Sequence, residues 1–304
     1  MKSIYLMLGM SLLLSSFQSH AERYKLPVDG SAIIGHMTMM TTKESDTFIE
    51  LARKFGLGFQ EMVIANPNVD PWLPGKGTQI VIPTRFILPD AKRKGLVLNR
   101  AEMRVYFYPK AEPGYVYTYP ISIGKEGWDT PNAKTNIIGM KKNPTWTVPE
   151  SILKEHEENN DPLPPTVPPG PDNPLGKYAI RLGLSGYLIH GTNNPRGIGM
   201  KVTHGCVRLH PDDIEDLFSR VSINTPVAIV NQPYKLAWVD GKLYAEMHPN
   251  EGDESGGNSR HLTQFVQAII GATKSKKDYK VNWQLANQMA RNKTGLPTSV
   301  GSKI

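Results

Sequence analysis

The chain has 304 residues, a formal net charge of +7 and a single cysteine, with 39% hydrophobic and 21% charged residues. At about 150 residues per domain this length fits two domains, and the apolar content supports real cores and excludes wholesale disorder. One apolar stretch at the N-terminus is too little for a multi-span transporter, one cysteine excludes a disulfide-stapled mini-protein, and the positive excess suits nucleic acid, an anionic membrane or an acidic polymer equally.

In chain order, Met1-Lys2, the apolar run Ile4 to Leu14 and Ser19-His20-Ala21 have the pattern of a secretory signal peptide over 1–21, cleaved after Ala21. The run is short for about 30 Å of hydrocarbon, so cleavage is expected in place of an anchor helix, leaving no membrane span. Residues 22 to about 35 read as a lead-in. A compact unit over 35–83 follows: a strand at His36–Met40, a helix capped by Ser45 or Asp46 that buries Phe48, Leu51, Ala52 and Phe55, a second helix carrying Phe59, Met62 and Val63, and a closing strand within Gly77–Pro83.

Residues 84–94 form a charged connector, and a β-rich region then begins. Strands are expected at Leu96–Asn99, Met103–Tyr108, Tyr115–Ile123, Ile137–Lys142, Tyr178–Arg181, Tyr187–His190 and Pro226–Val230. The proline-rich stretch 161–174 is neither helix nor central strand. Pro211–Ser219 reads as a helix, with proline at its first turn and acidic residues early. Leu236–Met247 reads as a hairpin turning at Asp240-Gly241. Residues 251–258 form a flexible polar link, and Leu262–Ile270 and Trp283–Met289 are amphipathic helices.

The chemistry concentrates in His190-Gly191-Thr192 and Thr203-His204-Gly205-Cys206-Val207-Arg208-Leu209. In an exported protein an unpaired cysteine is an intermolecular link or a reactive thiol. A nucleophilic thiol needs a base, a group that orients the base, and N–H groups where an oxyanion forms. Two histidines near Cys206 supply the first, an imidazolium beside the sulfur would favour the thiolate, and Gly205 permits a tight turn that frees the Cys206 amide. Zinc wants three or four ligands, and no second cysteine exists, so no metal is expected. A buried inert cysteine is the other reading. A papain-like arrangement would place cysteine before histidine, the reverse of this order.

Two resemblances join these residues. The unit at 35–83, through Asp46-Thr47-Phe48, Asn66-Pro67-Asn68, Pro74-Gly75 and Ile80-Val81-Ile82-Pro83, resembles a LysM module, which implies contact with glycans containing N-acetylglucosamine. Residues 94–232 resemble the L,D-transpeptidase catalytic domain of the YkuD type, through the His190 and Thr203-to-Arg208 motifs and through Asp129-Thr130-Pro131, Asn143-Pro144-Thr145-Trp146-Thr147, Asp172-Asn173-Pro174-Leu175-Gly176 and Gly197-Ile198-Gly199-Met200. The family commonly has Thr-Pro-x-Gly where this chain has Thr130-Pro131-Asn132-Ala133, which bears on a local turn. The proline-rich insertion and the tail over 233–304 are similar to the periplasmic, proteobacterial branch.

The resemblance implies a mainly β protein: a LysM-like βααβ domain, then a β-sandwich catalytic domain with a lid loop at 141–176, then a C-terminal hairpin and helical extension. It implies that Cys206 attacks the diaminopimelate–D-alanine bond of a peptidoglycan tetrapeptide and that the acyl group passes to an amine, either a second stem or a lipoprotein lysine. Passage to water would make the enzyme a carboxypeptidase or amidase instead. It assigns His190 as base, oriented by a carbonyl near Gly191, His204 as an auxiliary, Gly205 and Cys206 as oxyanion donors, and Arg208, Gly191, Thr203 and Trp146 as substrate contacts. No cofactor is implied; the partners are stem peptides and glycan strands in the periplasm, not nucleic acid.

Overall fold

The computed structural model describes residues 22–250 and 258–303; the signal peptide expected over 1–21 and most of the polar link expected at 251–258 lie outside them. The lead-in is a correction. Its first residues form β1 (Glu22–Lys25), which pairs antiparallel with the strand Tyr115–Pro120 of the main sheet as an edge strand. Then come β2 (Ile33–Gly35), β3 (Thr38–Thr41), α1 (Phe48–Lys54), α2 (Phe59–Ala65), β4 (Gln79–Ile82) and β5 (Arg85–Ile87). Antiparallel pairs β3–β4 and β2–β5 enclose the two helices. The cap of α1 is Thr47, whose hydroxyl accepts from Glu50 N, one or two positions beyond the residues expected to cap it. Asp46 instead accepts from the Lys43 amide.

The central region holds β6 (Gly95–Asn99), β7 (Arg104–Tyr108), β8 (Tyr115–Pro120), β9 (Ile123–Gly124), β10 (Ala133–Lys142), β11 (Trp146–Thr147), α3 (Glu150–Glu158), β12 (Thr166–Val167), β13 (Tyr178–Leu182), β14 (Leu188–His190), β15 (Lys201–Thr203), β16 (Val207–Arg208), α4 (Pro211–Arg220) and β17 (Pro226–Val230). Nine strands form one sheet in the order β1-β8-β7-β6-β17-β10-β13-β14-β16. The hinge of this sheet is β10, which pairs with β17 through Ala133–Asn136 and with β13 through Ile137–Lys142. Residues from both halves, among them Leu98, Val105, Tyr119, Ile180, Ile189 and Val207, pack with Ile214 and Leu217 of α4 in one core. The two layers expected of a sandwich are thus joined through a shared strand. The strand expected at Tyr115–Ile123 is broken after Pro120, and α3 was not expected.

Side chains alternate across a strand, so β6 and β7 bury both faces. Leu96, Leu98, Val105 and Phe107 face the core with α4, whereas Val97, Tyr106 and Tyr108 pack against Phe48, Leu51, Met62 and Ile80 of the N-terminal unit. That unit is therefore continuous with the sheet and is not a bead on a linker. Arg104, fully buried, pairs bidentately with Glu61 of α2 (Nε–Oε1 2.9 Å, Nη2–Oε2 2.7 Å) and donates to Thr118 and to the Gly56 carbonyl. Glu61 also accepts from the Gly58 amide that opens α2. The next free amides of this helix end, Phe59 and Gln60, donate to the carbonyls of Ile198 and Gly199 in the loop that feeds β15. Only glycine fits that contact, because a Cβ on Gly199 (φ +84°) would lie 2.4 Å from the Gly58 Cα.

The C-terminal region adds the hairpin β18 (Tyr234–Val239) and β19 (Lys242–Met247), α5 (Asn258–Thr273), β20 (Tyr279–Val281), α6 (Trp283–Asn292) and β21 (Thr298–Lys303). The expected helices are present, and two unforeseen strands complete a sheet ordered β18-β19-β21-β20 whose core includes Phe265, Ile269, Met289 and Val300. The buried Lys235 ammonium joins this sheet to the rest, 2.6 Å from Glu102 and 2.7 Å from Glu246, while His248 lies 2.6 Å from Glu246. Donor atoms of Glu102, Glu246 and His248 lie within 4.8 Å of one another, and the lysine sits against both carboxylates. Among the described residues no helix is long and apolar enough to cross a membrane.

Removing one partner of a buried ion pair strands the other charge away from water. Glu61→Ala is therefore expected to lower unfolding stability by about 3–5 kcal/mol, read from urea melts. For the same reason, deleting residues 22–83 is expected to yield an unfolded catalytic region, not a trimmed enzyme; a soluble, fully active truncation would contradict the shared core.

Candidate active site

Cys206 sits in the turn between β15 and β16. Gly205 supplies the left-handed backbone (φ +96°) that turns the chain. Two hydroxyls brace the turn: Thr203 donates to the Cys206 carbonyl at 2.6 Å, and Thr130 donates to the Gly205 carbonyl at 2.7 Å. Thr203 lines the cavity, but its hydroxyl is spent on holding the nucleophile's backbone. Among the described residues the Gly205 and Cys206 amides donate to no other main-chain carbonyl, which leaves them for an oxyanion.

His190 closes β14, which pairs in parallel with β16 so that His190 stands opposite Arg208. The imidazole is buried, and its Nδ1 lies 2.7 Å from the Gly191 carbonyl oxygen. A carbonyl only accepts, so Nδ1 carries the proton and Nε2 holds the lone pair. Burial, with the positive Arg208 adding to it, pulls the His190 pKa down to about 4. Burial likewise pushes the Cys206 thiol up, against a backbone hydrogen bond and the Arg208 charge. The resting pair is a neutral thiol and a neutral imidazole. This replaces the imidazolium-stabilised thiolate expected from sequence: the site is too dry to hold that ion pair at rest.

His204 is engaged elsewhere. Its Nε2 lies 2.7 Å from Glu155 Oε2 of α3, and its ring meets Trp128 edge-on at 4.8 Å. Arg208 lines the cavity beside Cys206 and His190, and among the described residues it has no ion-pair partner; its Nε is buried without a hydrogen bond. A guanidinium so placed is arranged for an anion brought in by a ligand.

The cavity over the sulfur has a volume of about 550 Å³. Cys206, His190, Arg208 and Tyr187 form one wall, and Trp146, Ile152 and His156 the other. The second wall belongs to the segment expected as a lid. Its base is tied by the fully buried Asn173, whose Nδ2 donates to the carbonyls of Pro144, Val167 and Pro168 and whose Oδ1 accepts from Leu175 N. Two of the motifs quoted from sequence thus meet through one amide. Sequence reasoning assigned no role to Thr130, Asn173, Lys125 or Glu155. The first two lie inside motifs already singled out; the last two have no sequence signal of their own.

A half-buried cysteine with a neutral, carbonyl-oriented histidine, free turn amides and a cationic cavity wall is the equipment of a cysteine acyltransferase. The YkuD family, L,D-transpeptidase catalytic domain, matches residues 93–229. Three Escherichia coli K12 relatives are similar over most of their length. "Probable L,D-transpeptidase YbiS" is 39% identical over 91% of each chain, and "Probable L,D-transpeptidase ErfK/SrfK" is 37% identical over 99% of this chain and 98% of the relative. "Probable L,D-transpeptidase YcfS" is 42% identical over 75% of this chain and 73% of the relative. The chain belongs to the L,D-transpeptidase family, and it is an acyltransferase.

If His190 is the base it can act only while neutral, so the acid limb of kcat/KM for acylation is expected near pH 4, not near the ordinary histidine value of about 6.5. Alkylation by iodoacetamide should instead fall away below neutrality, because no thiolate persists at rest. Undiminished alkylation at pH 5 would show an ion pair and contradict the neutral assignment.

Proposed function

We propose that the enzyme acts in the periplasm on peptidoglycan tetrapeptide stems and cleaves the bond between the third residue, diaminopimelate, and D-alanine. Cys206 Sγ attacks the carbonyl carbon as its proton passes to His190 Nε2, which faces no hydrogen-bond partner of its own among the described residues. The oxyanion takes the Gly205 and Cys206 amides. The C–N bond then breaks, His190 returns the proton to the departing D-alanine amine, and a thioester remains on Cys206. An incoming amine attacks that carbonyl, forming a C–N bond as the C–S bond breaks. Its proton passes by way of His190 to the sulfur, which restores the starting pair.

The observation that carries this reading is the Arg208 guanidinium, without an ion-pair partner among the described residues, in the same cavity as the thiol and its base. Diaminopimelate brings a carboxylate that an acyl chain of plain hydrocarbon would not. Loss of a charge-assisted contact costs about 1.5–3 kcal/mol, so Arg208→Ala is expected to raise KM for a soluble tetrapeptide about 10- to 100-fold. Cys206→Ala should give no acyl-enzyme by intact mass and no product. Wild-type turnover by Cys206→Ala would overturn the covalent route. Cross-linked dimers identify a stem amine as acceptor, lipoprotein-linked stems a lysine, and tripeptides water.

The N-terminal βααβ unit supports a second contact, with glycan, as its LysM likeness implies. Trp72 and Leu73, 55% and 78% exposed, stand between α2 and β4, and Trp72 lies 5.4 Å from Phe59. Exposed aromatic faces suit sugar rings. Holding two parts of one polymer raises local concentration without new contacts at the thiol. Trp72→Ala is expected to weaken retention on sacculi while leaving turnover of soluble tetrapeptide unchanged; equal retention would make the unit a purely structural part of the enzyme. A point variant is the proper test here, because deletion would open the shared core.

A further inference from the structure

The lid helix α3 is fastened to the catalytic turn at one residue. Lys125 follows β9 and His204 follows β15. These strands pair in parallel, and Lys125 N donates to Thr203 O at 2.8 Å, so the two cationic-type side chains stand side by side. Glu155 takes both: Oε1 accepts from the Lys125 ammonium, and Oε2 lies 2.7 Å from His204 Nε2. Among the described residues no other ion pair joins α3 to the catalytic strands; Lys154–Glu158 and His156–Asp161 are internal to the lid. On the same helix, Ile152 and His156 line the cavity over Cys206.

We propose that Glu155 is a positioning residue for the transfer step. It seats α3 on the turn that carries Cys206 while the acyl group is on the sulfur, and this seating keeps water from the thioester until an amine enters. The proposal rests on acyl transfer through Cys206. Both fates of the thioester break the same C–S bond: with an amine a C–N bond forms, with water a C–O bond, and in each the attacking group's proton returns to sulfur by way of His190. The lid therefore selects between nucleophiles and leaves the chemistry unchanged. The clasp is partly solvent-exposed, with Glu155 at 29% and His204 at 25% of their side-chain surface. Pairs this open bias a local position more than they hold a fold, which suits a segment that must release product.

The test uses the purified chain from residue 22, a soluble disaccharide tetrapeptide as both donor and acceptor, and the variants Glu155→Ala, Glu155→Gln and Lys125→Ala. Acyl-enzyme is read by intact mass, and the ratio of tripeptide to cross-linked dimer by chromatography. Glu155→Ala is expected to acylate at close to the wild-type rate and to raise the tripeptide-to-dimer ratio about tenfold, the scale of a misplaced positioning element. Lys125→Ala should give a smaller rise, since the His204 arm remains, and Glu155→Gln, which keeps the shape and one acceptor, should lie between. An unchanged ratio in Glu155→Ala would overturn the proposal, as would a folded variant that loses acylation itself. If Glu155→Ala fails to fold, the ratio in the isosteric Glu155→Gln decides. Absence of acyl-enzyme in the wild type would instead overturn the transpeptidase reading, so the two failures are distinguishable.

Discussion

Burial sets the charge state of the catalytic centre, and the remaining features of the site answer to it. A buried imidazole and a half-buried thiol are each more stable uncharged, so the pair rests neutral and becomes ionic only as the reaction proceeds. That arrangement demands a fixed tautomer, and the Gly191 carbonyl fixes it. It also demands that charge forming on the substrate be met by groups already in place. The amides of the Gly205 turn, braced by the Thr203 and Thr130 hydroxyls, and the Arg208 guanidinium on β16 are such groups.

The strands hold because the molecule is one body. Arg104 and Glu61 are a buried pair that would be costly if either partner were missing, and Glu61 also fixes the first turn of α2. The amides at that turn hold the loop 198–199, which runs through β15 into the nucleophile's turn. The N-terminal unit is thus connected by hydrogen bonds to the segment that presents Cys206. Lys235 fastens the C-terminal sheet to Glu102 in the turn between β6 and β7 in the same way.

Much of this was legible in the sequence where the signal is local. Helical spacing of Phe48, Leu51 and Ala52 marked α1, Asp240-Gly241 marked the C-terminal hairpin, and the His-Gly-Thr and Thr-His-Gly-Cys runs marked His190 and Cys206. What escaped depends on distance along the chain. The pairing of β1 with β8 leaves no local trace, and neither does the Arg104–Glu61 pair, whose partners are 43 residues apart. Helix α3 buries only Ile152, too little to create an apolar stripe, so Glu155 read as one acid among several. The charge state at Cys206 escaped for a different reason: proximity of histidine and cysteine was readable, but the loss of water around them was not.

Nitrogen-15 NMR of the histidine side chains, followed across pH 4 to 8 with Cys206 unmodified, reads the protonation and tautomer of His190 directly. The account predicts a neutral ring with the proton on Nδ1 throughout the range from pH 5 to 8, titrating only near pH 4. An imidazolium signal for His190 at pH 7, or a neutral ring protonated on Nε2, would contradict it.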